Sequence, residues 1–121
     1  MHRQAVIDEL EEVVGYGDVI EGTSNGVVVM VSNLFVAKVT YEELPSQTID
    51  DVPIVRTHNI SQEFVLLSEI ERVSVASAIG DPRIKLHLKS GEAVFFDVAK
   101  ADFVQGALQP IMLHMMNTMT R

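Results

Sequence analysis

Four side chains able to hold an anion lie in a regular series near the middle of the second half of the chain. Arg83, Lys85, His87 and Lys89 are two residues apart, and isoleucine or leucine occupies each position between them. Successive side chains of an extended strand point to opposite faces, so this spacing places all four on one face. Such a face can receive a phosphate, an acidic peptide or the acidic half of another copy of the chain. A solvated face with acidic cross-strand partners explains the same spacing.

The other polar residues indicate neither a metal site nor a catalytic site. The 4 histidines lie far apart in the sequence, whereas zinc and iron need three or four converging donors. Serine, histidine and aspartate are present, but no nucleophile elbow, Walker loop or GxGxxG pattern holds them. The carboxylate pairs Glu42-Glu43 and Asp50-Asp51 diverge in an extended chain. We therefore expect no catalytic residue, no metal and no cofactor.

Methionines are concentrated near the C-terminal end, at Met112, Met115, Met116 and Met119. Their flexible, polarizable side chains suit adaptable binding surfaces, although core filling is the default explanation. The apolar stripe to which they belong is wider than a lone helix needs. We expect part of it to face a partner or a second subunit.

A hairpin and a helix must position these residues. Ile84, Leu86 and Leu88 alternate with polar residues, a Ser90-Gly91 turn follows, and a second apolar run occupies residues 94–98. The hydrophobic period then changes from two residues to about 3.6, which predicts a helix over residues 102–119 with a capping box at its start. Its apolar stripe consists of two rows, which are Phe103, Ala107, Ile111, Met115 and Met119, and Val104, Leu108, Met112 and Met116. We expect the stripe to pack on the buried face of the hairpin.

The first half of the chain predicts a helix and further strands. Apolar residues at helical spacing indicate a short helix over residues 1–15, with Gly15 as its C-terminal cap. Runs at 19–24 and 27–31 flank Asn25-Gly26, which is typical of a type I′ hairpin turn. The continuous apolar run at 27–31 indicates a strand covered on both faces. Strands are also expected at 34–41, 64–67 and 70–76, with a long loop over 42–62 that has room for one edge strand.

Composition narrows the class of protein. The chain has 121 residues, 47% of them hydrophobic, so we expect a single domain over residues 1–121 with one core. Its formal net charge is -8, with 11 acidic and 3 basic residues before residue 64 and 6 of each after it. Nucleic acid and anionic membranes would be repelled by this charge. The chain has no cysteine and no secretory signal pattern, so we expect a cytoplasmic protein.

Several segments together carry a resemblance to a known superfold. They are residues 67–73, 83–92 and 94–96, and the helix that begins near Phe103. Their order resembles the pleckstrin-homology-like superfold, in particular its bacterial and GRAM-type members. The resemblance implies a bent sheet or partly open barrel plugged at one end by the helix. Phosphoinositide-binding members carry lysine and arginine in the first hairpin loop, whereas residues 23–26 here contain neither, so membrane lipid is not an expected ligand.

These observations predict an α+β fold, with a bent antiparallel sheet or partly open barrel of 6–7 strands, a C-terminal helix and a short N-terminal helix. The first functional hypothesis is a non-catalytic module that binds a peptide or partner protein beside the C-terminal helix by strand addition. The second is an acidic inhibitor or mimic that occupies a basic site on a nucleic-acid-processing enzyme, and the third is a small enzyme. The candidate partner-binding residues are Arg83, Lys85, His87, Lys89, Met112, Met115, Met116 and Met119. A homo-oligomer is compatible with each hypothesis.

Overall fold

The structure is a computed structural model that describes residues 2–15, 17–44, 47–54, 57–76 and 82–119. It has an α+β architecture in which antiparallel sheets lie between an N-terminal and a C-terminal helix. The elements are α1 (His2–Val14), β1 (Asp18–Val19), β2 (Val27–Val31), β3 (Phe35–Glu43), β4 (Gln47–Ile49), β5 (Val52–Ile54), β6 (Thr57–Leu66), β7 (Ile70–Ala76), β8 (Arg83–Leu88), β9 (Ala93–Asp97) and α2 (Val104–Met119). Short 3₁₀ turns at Leu67–Glu69 and Ala101–Phe103 precede β7 and α2.

Seven of the strands form two main sheets. The first sheet has the order β1-β2-β3-β6 and the second has the order β7-β8-β9, while β4 and β5 form a separate hairpin. The Leu67–Glu69 turn carries the chain from one sheet to the other, and an isolated bridge joins Thr23 to Val98. In the described part of the chain the sheets do not close into a barrel. The predicted α+β class, with antiparallel strands and a helix at each end, is therefore confirmed.

The main core lies between the two sheets and α2. Ile84 and Leu86 of β8 are fully buried, and they share one hydrophobic cluster with Ala107 and Ile111 of α2. Leu88 is partly buried against the same cluster. This shared cluster confirms the predicted contact between hairpin and helix. The contact was predictable because residues two apart on a strand, and residues four apart on a helix, share a face.

A second hydrophobic cluster lies between α1 and the outer face of the first sheet. Val6 and Leu10 of α1 are buried there with Val28 and Met30 of β2, whereas Val29 and Val31 face the main core. Strand β2 is thus covered on both faces, as its continuous apolar run predicts. Gly15 ends α1 with a φ of 82°, and its N–H donates to the Glu11 carbonyl at 2.8 Å.

The predicted antiparallel pairing across Asn25-Gly26 is confirmed, because β1 pairs with β2 and the Val27 N–H donates to the Ser24 carbonyl at 3.2 Å, but the predicted type I′ turn is wrong. Of these two residues only Gly26 has a positive φ, and β1 ends at Val19. The chain then passes from the first sheet to the second, where the Ala99 N–H donates to the Gly22 carbonyl at 2.8 Å. Local turn propensity does not determine which distant strand will pair with residues 22–24, so the change of sheet was missed.

The predicted long loop over residues 42–62 is also wrong where the structure describes it. Strand β3 continues to Glu43, the β4-β5 hairpin turns at Asp50 and Asp51 with φ values of 52° and 63°, and β6 begins at Thr57. Aspartate tolerates this left-handed conformation better than most residues. The polar first half of β6 gives no alternating pattern, because its strand character comes from pairing with β3.

The C-terminal helix begins slightly later than predicted. A 3₁₀ turn occupies Ala101–Phe103 and α2 starts at Val104. Asp102 lies inside that turn, and Lys100 caps it without a side-chain hydrogen bond. The predicted capping box at Asp102 is therefore wrong, because the turn takes the position that the cap would occupy.

Candidate functional site

The outer face of the second sheet carries a basic stripe. The register places Arg83 opposite Asp97, Lys85 opposite Phe95 and Arg72 beside His87. Arg83, Lys85 and His87 lie on the face opposite the buried Ile84 and Leu86, as the sequence spacing predicts. Lys89 follows β8 and is exposed. We call Arg72, Arg83, Lys85, His87 and Lys89 the basic stripe.

Arg83 is held by contacts within the second sheet. Its Nε donates to Asp97 Oδ1 at 2.8 Å, and its guanidinium lies 4.2 Å from the centroid of the Phe95 ring. The hydrogen bond to Asp97 raises the pKa of the Arg83 guanidinium above its usual value, so this side chain stays charged at any physiological pH. Arg72, Lys85 and Lys89 form no ion pair among the described residues. They are the cations of the stripe that can meet a ligand.

His87 contacts a serine of the neighbouring strand. Its Nε2 lies 2.7 Å from Ser74 Oγ, and both residues are half-buried. A serine and a histidine at this distance form the first part of a nucleophile and base pair, which also needs a group that orients the histidine. Within the described residues no hydrogen bond orients the other ring nitrogen of His87. The contact therefore fixes the His87 ring on the face of the sheet.

A shallow pocket lies beside His87 at one end of the second sheet. It has a volume of about 550 Å³ and is lined by Glu71, Arg72, His87, Leu88, Gly91 and Glu92. Acidic and basic groups thus share this pocket. In the described ranges no three histidine or acidic residues converge as metal ligands. This end of the basic stripe can therefore contact both cationic and anionic groups of a ligand.

The methionines of α2 do not form one surface. Met115 is partly buried in the main core, whereas Met112 and Met116 are exposed by 46% and 59% of their surface. The side chain of Met119 lies outside the described residues. Leu113, which the two apolar rows omit, is 51% exposed beside the two exposed methionines. We call Met112, Leu113 and Met116 the exposed side of α2.

The opposite side of α2 is tied to the first sheet by His114. Its Nε2 lies 2.7 Å from Asp18 Oδ2, and its Nδ1 lies 2.6 Å from Asn33 Oδ1. Successive helical residues are rotated by roughly 100°, so Met112 and Met116 point away from His114. This anchor was missed in the sequence, because a lone histidine in an apolar stripe does not indicate its partners.

The edges of the two sheets differ in how well they are covered. At β9, the Lys38 ammonium donates to the Phe95 carbonyl at 2.5 Å and the Ser24 N–H donates to the Asp97 carbonyl at 3.0 Å. Strand β1 has only two residues. Among the described residues, β6 pairs only with β3, and β7 pairs only with β8. The long edges open to another strand are therefore those of β6 and β7.

Replacing Lys38 with methionine is expected to lower the free energy of unfolding by about 1–2 kcal/mol, because the Phe95 carbonyl loses its donor. The Lys38 side chain is only 15% exposed, so water replaces it poorly. Lys85→Met is the control, because Lys85 forms no ion pair among the described residues, and its effect should stay within about 0.5 kcal/mol. Urea unfolding measures both. Equal losses would show that Lys38 does not cover the β9 edge.

Comparison with known proteins does not assign a role to the site. No protein-family model, curated protein or solved structure matches the chain. Within the part of the chain that the structure describes, no helix is long and apolar enough to cross a bilayer. The function must therefore be inferred from the edges, the exposed side of α2 and the basic stripe.

Proposed function

We propose that this chain is a non-catalytic protein-interaction module that binds an extended acidic segment of a partner protein. The segment adds as a strand to the edge of β7, beside the exposed side of α2. The observation that carries the proposal is the open edge of β7 next to a helix with three exposed apolar side chains. The order of four strands, three strands and a final helix supports a pleckstrin-homology-like fold as part of this proposal. A cytoplasmic location belongs to it as well.

The edge of β7 supplies the main-chain part of the binding energy. In a strand, alternate N–H and C=O groups point to each side, so an edge strand leaves about half of them without a strand partner. An added peptide satisfies these groups with little dependence on its sequence. Specificity must come from the side chains on the two flanks of the edge.

Helix α2 provides an apolar flank near the start of β7. It packs against the Leu67–Glu69 turn that leads into β7, and Ile70 is buried in the same cluster as Ile111. Because His114 ties the opposite side of α2 to the first sheet, Met112 and Met116 remain available to a ligand. Methionine adapts its shape to different apolar side chains, which suits a module that accepts related peptides.

The basic stripe provides a charged flank and defines the partner. Arg72 lies on β7 itself and is exposed, and Lys85 follows on the adjacent strand. Alternate side chains of an added strand would lie on this face, where carboxylates pair with these cations. The chain carries a net charge of -8, so this stripe is a local exception that attracts an acidic segment.

A displayed library of random peptides tests the proposal. Selection on the whole chain should enrich peptides with acidic residues at alternate positions and apolar residues between them. Met116→Asp should weaken binding of the selected peptides roughly tenfold or more, because it places a charge in the apolar flank. Val13→Asp is the matched control, since Val13 is 70% exposed but lies on α1. Hydrogen exchange should show new protection of the β7 amides.

Other outcomes would overturn the proposal. A library from which no peptide is enriched would exclude strand addition of this kind. Binding that survives Met116→Asp but is lost in Glu9→Lys and falls steeply with salt would instead favour the acidic mimic, because Glu9 is exposed on α1. Either result leaves the fold unchanged and removes the role given to β7.

A further inference from the structure

A patch of exposed apolar side chains lies at the end of the first sheet where β3 begins and β6 ends. Leu34 is 63% exposed, and Phe64 and Leu66 of β6 are each 47% exposed. Phe35 lies opposite Leu66, and its ring meets the Phe64 ring edge to face with centroids 6.1 Å apart. Helix α1 packs on β2 and β3, and Phe35 is partly buried against its cluster, whereas Leu34, Phe64 and Leu66 remain exposed. We call Leu34, Phe35, Phe64 and Leu66 the β6 patch.

The β6 patch borders a sheet edge that lacks charged protection. Strand edges are usually guarded by charges, bulges or a covering group. Strand β7 has Glu71 and Arg72 exposed beside a register shift, and β9 is covered by Lys38. In β6 the register shift lies before Ser61, so Ser61–Leu66 pairs regularly with β3. Its one charged residue, Glu63, has its carboxylate 3.9 Å from Lys38 Nζ.

We infer that β6 is the interface of a homodimer, in which a second copy adds its own β6 antiparallel to this edge. Two copies of the chain would repel each other along α1, where Asp8, Glu9 and Glu12 are exposed. At Ser61–Leu66 the single carboxylate, that of Glu63, lies 3.9 Å from the Lys38 ammonium, so little unbalanced charge opposes the approach of a second copy there. A twofold axis perpendicular to the sheet then places the two apolar patches side by side.

The side chains also select a register for this pairing. In an antiparallel pair about a twofold axis, one residue can lie opposite its own copy. An axis at Glu63 would oppose two carboxylates, which is unfavourable. An axis at Phe64 would pair two aromatic rings, which is favourable. In the same register Gln62 would lie opposite Leu66 of the partner subunit, so no two carboxylates would oppose each other. The geometry therefore points to Phe64 as the axis residue.

The contact is small, so the dimer is expected to be weak. Six residues of strand edge and four patch side chains on each subunit are at the low end of specific interfaces. We expect a dissociation constant on the order of micromolar. The peptide site on β7 stays outside this interface, so dimerisation and peptide binding can succeed or fail independently.

Sedimentation equilibrium of the whole chain tests the inference. The unmodified chain should show a reversible monomer and dimer, and Phe64→Lys should raise the dissociation constant roughly tenfold or more. Val13→Lys, which places the same charge at another exposed apolar position, should leave the constant unchanged. Circular dichroism of each variant separates loss of association from loss of folding.

Disulfide trapping gives a second readout, because the chain has no cysteine of its own. Phe64→Cys should form a linked dimer on mild oxidation, since an axis residue meets its own copy, and Val13→Cys should not. A chain that stays monomeric at concentrations well above the micromolar range would overturn the inference. So would a dimer that is unaffected by Phe64→Lys but is lost in Met116→Asp.

Discussion

Gly22→Ala is expected to lower the free energy of unfolding by roughly 3 kcal/mol, the largest effect of any single methyl group that we propose to add. A Cβ at position 22 would overlap Cγ of Phe103 and lie 2.6 Å from Cβ of Phe103. The Phe103 Cβ is fixed by the backbone, so the ring cannot simply rotate away. Gly22 also has a φ of 82°, which strains any other residue.

Gly91→Ala separates the two causes of that loss. Gly91 has a φ of 93°, but a Cβ there would meet no atom within 4 Å. It should therefore cost only the backbone strain, about 1 kcal/mol. Urea unfolding of both variants measures the difference. If the two variants lost the same free energy, the Phe103 side chain would not lie against Gly22.

Ile111→Ala is expected to cost about 3 kcal/mol of stability, because it leaves a cavity in the main core. Ile111 is fully buried among residues of both sheets and α2. Leu113→Ala removes a similar volume from the same helix, but Leu113 is 51% exposed, so its cost should stay within about 0.5 kcal/mol. Denaturant midpoints at constant slope measure both variants.

The contrast between these two positions also tests the proposed binding surface. If Leu113→Ala were as costly as Ile111→Ala, the exposed side of α2 would be part of the core and unavailable to a partner. The reverse order would mean that α2 is rotated about its axis. Only the expected order is compatible with a ligand beside Met112 and Met116.

The two open edges differ in charge, and for this reason we propose different partners for them. The β7 edge lies beside Arg72 and Lys85, so it is suited to an acidic strand from another protein. The β6 edge carries Glu63, which Lys38 neutralises, so it is suited to a second copy of itself. Lys38 contacts the Phe95 carbonyl at the β9 edge and also forms an ion pair with Glu63 at the β6 edge. Changing Lys38 should therefore affect stability and association together.

Local spacing in the sequence was sufficient to predict which residues face inward within an element. The alternation at Ile84 and Leu86, the row of Ala107, Ile111 and Met115 in α2 and the continuous run of β2 were correct, because each depends only on the geometry of one helix or strand. The second row was only partly correct, because Met112 and Met116 are exposed. The basic stripe followed from the same alternation. The exposed Leu113 was missed, because it lies outside both rows.

Only the tertiary structure decided which polar groups and strands pair across long stretches of sequence. Lys38 reaches the Phe95 carbonyl across 57 residues of sequence, and His114 reaches Asp18 across 96. The segment after β1 joins the second sheet through the Thr23–Val98 bridge, and the mostly polar residues 57–63 form a strand because they pair with β3. No local pattern records such pairings, since their free energy comes from groups that meet only after the chain has folded. The edges that remain open, and therefore the surfaces proposed to bind, are set by those long-range contacts.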